Sequence, residues 1–359
     1  MKYLNALNII QGVGSQKMKL LTGFFGSSEN IWSANINELK NSGIGDALSQ
    51  KIVIEREKIN PDEEWEKLDK ENIRAIAHTD PNYPDLLKEI TNPPYILYMK
   101  GGLKKLNVNP MVAIVGSRKL TAYGKQATFG IARDLARSGI TVVSGMALGI
   151  DAEAHLGALD GKGETVAVMG SSLEDTIIGP RSNFMLSRRI IENGSLISEY
   201  PLNTPANAGT FPTRNRLMAG ITLGTLIVEA ARGSGSLITA NLALDFNREV
   251  FAIPGSIFSP QSEGTNDLIR SGAKLVSGTK DILEELKIEE AMKAEKVKKT
   301  IPASKEEEKI LKHLSHESIH IDNIIKLAKL ETNIVISTLS IMEMKGIIKD
   351  IGGQNYISL

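Results

Sequence analysis

The stretch AIVGSRKLTAYG, residues 113–124, decides how the chain is read. Apolar residues run into Gly116-Ser117-Arg118, then a polar turn, then a helical pattern. That is the order of a phosphate-binding strand, loop and helix, in which backbone amides and a helix N-terminus face an anion. Yet there is no G-x-G-x-x-G, and no G-K-[ST] follows. An arginine stands where dinucleotide binders keep a small residue. Which phosphate the loop serves is a question for the rest of the chain.

From 111 to 280 the same rhythm of strand, glycine turn and helix repeats. The strands read as AIVGS, ITVVSG, ETVAVMG, SLISEY, TLIVEA and REVFAIPG. Most are short and strongly apolar, as buried parallel strands should be. Helical stretches such as GKQATFGIARDLARSG lie between them. The alternation predicts a doubly wound, Rossmann-like α/β core with a parallel sheet and right-handed crossovers.

The flanks read differently. Residues 1–65 look helical and carry two punctuations, Gly12-Val13-Gly14 and Gly43-Ile44-Gly45. Each suggests a helix–hairpin–helix or SAM-like pair whose amides can face a DNA phosphate; the plain alternative is a tight turn needing glycine. Residues 66–110, with Pro81, Pro84, Pro93 and Pro94, read as a connector and entry segment. Charge crowds the 281–304 stretch, which reads as a solvated linker. Residues 305–359 show three short amphipathic helices and two apolar runs around Gly352-Gly353, a winged helix. The helix expected to read a groove, TNIVISTLSIMEMK from Thr332, has no Lys or Arg between Asn333 and Met344. A protein-contact or accessory role is expected for it.

Composition narrows the functions. The 359 residues hold 42 basic and 42 acidic side chains and no cysteine. Disulfides, thiolate metal sites and cysteine nucleophiles are excluded. Residues 101–280 hold 18 Lys/Arg against 14 Asp/Glu, while both flanks are slightly acidic. A polyanion site must therefore come from the placement of a few arginines, not from a bulk field. No apolar run approaches the roughly 18 residues of a membrane helix, and no signal peptide is evident, so no membrane contact and a cytoplasmic chain are expected.

Open α/β sheets bind ligands beyond the carboxyl ends of their strands. At those ends stand Gly116, Ser117 and Arg118, then Ser144 and Gly145, then Phe211, Arg214, Asn215 and Arg216, then Gly233, Ser234, Gly235 and Ser236. Glycine and serine let amides approach an oxyanion, and arginine adds a planar fork for phosphate. A lone arginine is more often a surface charge; three in turns at one edge are read here as a basic pocket. Asp151 and His155, four apart on a helix, and Glu229 suggest acid–base partners only weakly. Asp151 opens a helix, where a carboxylate caps amides. No metal, cofactor or catalytic set is expected.

VGSR at 115–118, SGMALGID with His155 four positions beyond its Asp, FPTRNR at 211–216, VEAARGSGSLITA at 228–240, and AIPG followed by GTNDLIRSGA together resemble the DNA-processing DprA (Smf) family. TDPNYPDLLKEITNPPYILYMKG at 79–101 is similar to the family's entry segment. The resemblance implies a homodimeric single-stranded DNA-binding protein that protects incoming DNA and helps load RecA recombinase in natural transformation, with no catalysis. It implies a strand-gripping pocket at Gly116, Ser117, Arg118, Phe211, Arg214, Asn215 and Arg216. The opening loop then serves a polynucleotide, which needs charge that reaches outward.

One stretch departs from the family. GSSLEDTIIGPRSN, 170–183, has Gly179 where the family usually has tyrosine, and about two extra residues, while Asn183 is kept. Arg181 is the residue expected to compensate. The competing reading is a nucleotide-processing enzyme like the LOG phosphoribohydrolases. Its P-G-G-x-G-T signature is met only by Gly233-Ser234-Gly235-Ser236, with Glu229 before it. A duplex-specific regulator would rest on the winged helix alone.

Overall fold

The structure, a computed structural model, describes residues 1–102, 106, 108–288, 304–314, 318–344 and 348–358. It divides into two units, Met1–Leu286 and Lys287–Leu359. The first opens with six helices: α1 (Lys2–Ile9), α2 (Ser15–Phe25), α3 (Ser28–Ser33), α4 (Ile36–Asn41), α5 (Asp46–Arg56) and α6 (Pro61–Lys70). Local chemistry sets their ends. Asn35 and Glu38 form a reciprocal capping box on α4, and Asn60 caps α6 with Pro61 in its first turn. Both glycine punctuations are helix-joining turns, with Gly12, Gly43 and Gly45 at positive φ.

Two antiparallel strands follow, β1 (Arg74–Ala77) and β2 (Ile96–Gly101), with the short α7 (Asp85–Lys88) between them. The segment 66–110, read from sequence as a connector, thus supplies two strands of the sheet. Its prolines sit beside the strands rather than in them. Next come β3 (Met111–Val115), α8 (Ala122–Arg137), β4 (Thr141–Ser144), α9 (Ile150–Asp160), β5 (Thr165–Val168), α10 (Phe184–Asn193) and β6 (Gly194–Ser198). The chain then returns through α11 (Thr210–Ile221), β7 (Gly224–Ile227), α12 (Gly235–Asp245), β8 (Glu249–Ala252), α13 (Glu263–Arg270), β9 (Lys274–Leu275) and α14 (Thr279–Glu285).

The sheet order is β1-β2-β6-β5-β4-β3-β7-β8-β9. From β6 to β9 every pairing is parallel. β3, β4, β5 and β7 are buried at every position, as strands covered on both faces require. The order reverses beside β3, since β4 lies on one side of it and β7 on the other. That is the switch point where a crevice opens beyond the carboxyl ends.

The N-terminal helices share a core with one face of this sheet. Leu4, Leu7, Met18 and Leu21 cluster with Tyr98, Ala167 and Met169. Tyr98 donates its hydroxyl to Asn5 Oδ1 at 2.7 Å, and Asn8 Nδ2 donates to the same hydroxyl at 3.1 Å. The stretch 281–304, read as a linker, begins inside α14, where Ile282 is buried; its residues 289–303 lie outside the described residues.

The second unit contains α15 (Lys305–Leu311), β10 (Ile319–His320), α16 (Ile321–Ala328), α17 (Thr332–Met344), β11 (Ile348–Asp350) and β12 (Asn355–Ser358). Ile310, Ile324, Val335, Leu339 and Met342 form its core, and the strands pair in the order β10-β12-β11. This is a winged helix.

Helices α8 and α9 approach closely because α9 presents small residues to its neighbour. A Cβ at Gly157 would lie 2.5 Å from the Phe129 carbonyl oxygen. Gly157→Ala should therefore destabilise the first unit by about 1–3 kcal/mol despite alanine's better helix propensity. A lower urea midpoint checks this, and an unchanged one contradicts it.

Candidate nucleic-acid interface

Three loops converge at the switch point. After β3 the chain turns through Gly116-Ser117-Arg118. Ser117 N donates to the Glu229 carbonyl at 2.8 Å, which ties this loop to the one after β7. The Ser117 hydroxyl donates to Lys119 O and accepts from Lys119 N, so it shapes the turn. Arg118 is left exposed, its guanidinium 5.2 Å from the centre of the Phe211 ring. No ion pair engages it among the described residues.

Arg214 behaves differently. It is 4% exposed, and one of its nitrogens donates to the carbonyls of both Gly145 and Val168 at 2.5 Å. Gly145 makes room: a Cβ there would lie 2.2 Å from that guanidinium. Asp151, also buried, accepts from the Gly145 and Ala147 amides at 3.2 Å each. Burial pushes the Asp151 carboxyl above its ordinary range, and the Arg214 charge opposes that. Burial lowers Arg214 in turn, and Asp151 supports its charge. The two ions offset each other beneath the loop after β4.

Arg216 leaves the site altogether. It ion-pairs with Glu199 and donates to the Asn92 carbonyl. The sequence placed both arginines in a turn, but residues 210–221 are helix α11. At about 100° per residue, positions 214 and 216 face opposite ways. The expected trough of three arginines is therefore one exposed cation, one buried in the pocket floor and one on the far side of the helix.

Two adjoining pockets result. The first, about 260 Å³, is lined by Gly116, Arg118, Phe211, Arg214, Asn215, Ser234, Gly235 and Ser236 from the sequence reading, with Asp151, Pro212, Ile238 and Thr239 added by the structure. The N-terminus of α12 opens into it, capped by Ser234, whose side chain accepts from the Ser236 amide. The second, about 240 Å³, is lined by Gly145, Met146, Leu148, Met169, Gly170, Ser171, Gly179 and Pro180. Arg118 and Phe211 line both, so the cation and ring form the wall between them.

Some expected residues line neither pocket. Ser144 is fully buried and donates to the Ile114 carbonyl at 2.7 Å, tying β4 to β3. Ser117 and Gly233 shape turns, Gly233 at positive φ. Arg181 donates to the Asp175 carbonyl and covers the Phe184 ring at 4.6 Å, so it does not compensate in either pocket. Asn183 instead holds the Met146 and Ala147 carbonyls from behind. Sequence reading gives the apolar lining of the second pocket no role: Met169 reads as the end of ETVAVMG and Met146 as a loop residue after ITVVSG, and each stands beyond a β carboxyl terminus.

The acid–base candidates are engaged in the scaffold. Glu229 accepts from the Thr121 amide and hydroxyl, and the Thr121 hydroxyl accepts from the Gly124 amide to cap α8. His155 Nδ1 lies 2.7 Å from the Thr165 hydroxyl, which itself donates to the Val142 carbonyl. The hydroxyl has one hydrogen, so Nδ1 carries the proton and donates. Nε2 is buried without a partner. Burial, reinforced by Arg214, pushes His155 down to about 3 from 6.5.

Residues 74–287 match the family model described as DNA recombination-mediator protein A, and 294–354 match the DprA winged helix domain. The chain belongs to the DprA (Smf) family. Protein Smf of Synechocystis is 38% identical over 290 residues, 79% of this chain and 72% of that one. DNA processing protein DprA of Bacillus subtilis is 39% identical over 216 residues, 60% of this chain and 72% of that one. Among solved structures, the Streptococcus pneumoniae DprA is similar with TM-score 0.70 and 31% identity, covering 79% of this chain and 98% of its own. A Helicobacter pylori DprA, described with its single-stranded DNA binding mode, is similar with TM-score 0.55 and 32% identity, covering 60% and 96%. No helix among the described residues is long and apolar enough to cross a membrane.

Two stability predictions test the buried polar groups beneath the site. Arg214→Ala leaves the Gly145 and Val168 carbonyls without their donor and the buried Asp151 without the nearby charge that opposes its desolvation. It should lower stability by about 3–5 kcal/mol, read from the urea midpoint, and a stable, merely non-binding variant would refute that role. His155 sets the second. Its folded pKa is depressed, so its contribution is complete above 6.5 and is lost as pH falls towards 3. His155→Asn should flatten the fall of stability below pH 6.5 by about 1.4 kcal/mol per pH unit, measured by chemical unfolding across pH.

Proposed function

We propose that this chain binds single-stranded DNA at the paired pockets and delivers it to RecA recombinase during natural transformation. The observation that carries the reading is the Arg118 guanidinium held over the Phe211 ring at the wall shared by two pockets. A phosphate meets the exposed fork, and bases on either side meet a flat ring and an apolar recess. Contacts of this kind, to phosphate and to the face of a base, do not read base edges, so binding tolerates sequence. The N-terminus of α12 adds positive potential to the first pocket.

The proposed protein is a cytoplasmic, non-catalytic homodimer assembled through the core, as the family resemblance implies. The phosphoribohydrolase reading is disfavoured by Glu229, whose carboxylate is spent on Thr121 at the start of α8. The duplex-reading alternative is disfavoured by α17. That helix carries no Lys or Arg and exposes the apolar side chains of Ile336 and Ile341, which suit protein contact better than a phosphate backbone.

Anisotropy of a labelled oligothymidylate across a salt series tests the reading. Arg118→Ala should weaken binding by about tenfold or more with the unfolding midpoint unchanged. Phe211→Ala should weaken it by about fivefold or more, the loss of one stacking platform. Wild-type affinity in both variants, or a preference for duplex, would remove the proposal.

A further inference from the structure

A larger groove lies elsewhere on the first unit, between α2 and the segment that leads into β2. Its volume is about 940 Å³. Lys19, Leu20 and Phe24 line it from α2, and His78, Lys88 and Tyr95 from the facing segment. No Asp or Glu lines it among the described residues. Leu20 is 46% exposed and Phe24 54%, large apolar side chains left open on one helix face. The His78 and Tyr95 rings stack at 5.5 Å with 15° between their planes. Burial, with Lys88 and Lys19 repelling a proton, lowers the His78 pKa, so that ring is a neutral flat surface at neutral pH. Cations beside aromatic faces are what an unpaired nucleic acid strand recruits.

Topology relates this groove to the paired pockets. β2 runs antiparallel to β6, with Tyr98 opposite Ser198. The start of β2 therefore lies at the carboxyl end of β6, on the same sheet edge as Arg118. Four strand spacings separate β2 from β3 in the sheet order, about 19 Å. That is about six nucleotides at a stacked rise of about 3.4 Å. Arg216 marks the ground between them, joined to Glu199 after β6 and to the Asn92 carbonyl on the groove.

We propose that the α2 groove is a second contact for the same single strand, taking phosphates on Lys19 and Lys88 and a base against Phe24 and Tyr95. This rests on the reading of the Arg118 pocket as a strand site. The strand leaves that pocket, follows the sheet edge past β4, β5 and β6, and enters the groove. Both lysines are accessible. Lys19 is exposed, and Lys88, about a third exposed, pairs among the described residues with the exposed Asp85 at 2.9 Å. An acidic, apolar protein segment is the competing occupant.

Two variants of the full chain test the groove on a roughly 20-nucleotide oligothymidylate, long enough to span both sites. Lys19→Ala with Lys88→Ala removes two phosphate contacts. It should lower affinity several-fold and reduce the slope of log affinity against log salt by about 1.4. Phe24→Ala changes no charge. It should lower affinity by about fivefold and leave that slope alone. Circular dichroism and the unfolding midpoint check that both variants keep their fold. Arg118→Ala runs alongside. If Arg118→Ala weakens binding while both groove variants keep wild-type affinity and slope, the groove inference fails alone. If Arg118→Ala changes nothing, the pocket reading fails first. A groove that captures an acidic apolar peptide with no change in DNA binding overturns the inference as well.

Discussion

The guanidinium of Arg214 donates to the Gly145 and Val168 carbonyls, which end or follow two neighbouring strands, β4 and β5. A cation with so little exposure needs a counter-ion and full hydrogen bonding, or the desolvation penalty would unfold the site. Asp151 supplies the charge and also gathers the Gly145 and Ala147 amides. These two buried, oppositely charged residues, each through its own hydrogen bonds, thus fix the loop after β4, the end of β5 and the helix α11 that carries Phe211. Arg118 can be exposed and unpaired because this buried pair already holds the surfaces around it. On the proposed reading, the division of labour is between a positioning arginine in the floor and a contacting arginine at the rim.

Electrostatics of the same pair explain the neighbouring histidine. His155 sits one turn beyond Asp151 on α9, fully buried and within the field of Arg214. A proton on it would add a second buried cation, so the ring stays neutral and serves as a donor to Thr165. The spacing of Asp151 and His155, which reads as an acid–base pair, is the spacing of two groups bracing opposite ends of one crossover. Glu229 does the same for α8. Polar residues crowd this sheet edge partly because switch-point loops have backbone amides to satisfy.

Much of this was legible in the chain. Parallel strands buried on both faces leave continuous apolar runs, and those runs marked all of β3 to β8. The wing hairpin announced itself through Gly352-Gly353. β1 and β2 were hidden because four prolines flank them, and proline signals a break without saying whether a strand lies beside it. FPTRNR was read as a turn for a related reason. Pro212 is the third residue of α11, where its missing amide would have had no intrahelical partner. Once that segment is helical, Arg214 and Arg216 must part. Their partners, Asp151 and Glu199, arrive through sheet order and are invisible to local spacing.

The charge balance now bears on how such a protein holds DNA at all. Single-strand affinity grows with the number of phosphates neutralised, at about 0.7 of a counterion each. The paired pockets offer one unpaired surface arginine, so a single engagement is intrinsically weak and readily reversed by salt. Tight binding therefore requires several modest contacts on one strand, each raising the effective concentration of the next. The α2 groove on the same edge and a second protomer are two ways to supply them. A surface with no net charge then has an advantage. On the proposed reading, isolated short strands would dissociate, duplex would not be held by a bulk field, and only a strand long enough to visit several contacts would be retained. Under the proposed function, weak contacts would also suit delivery, because a recombinase advancing along the strand would displace them only one at a time.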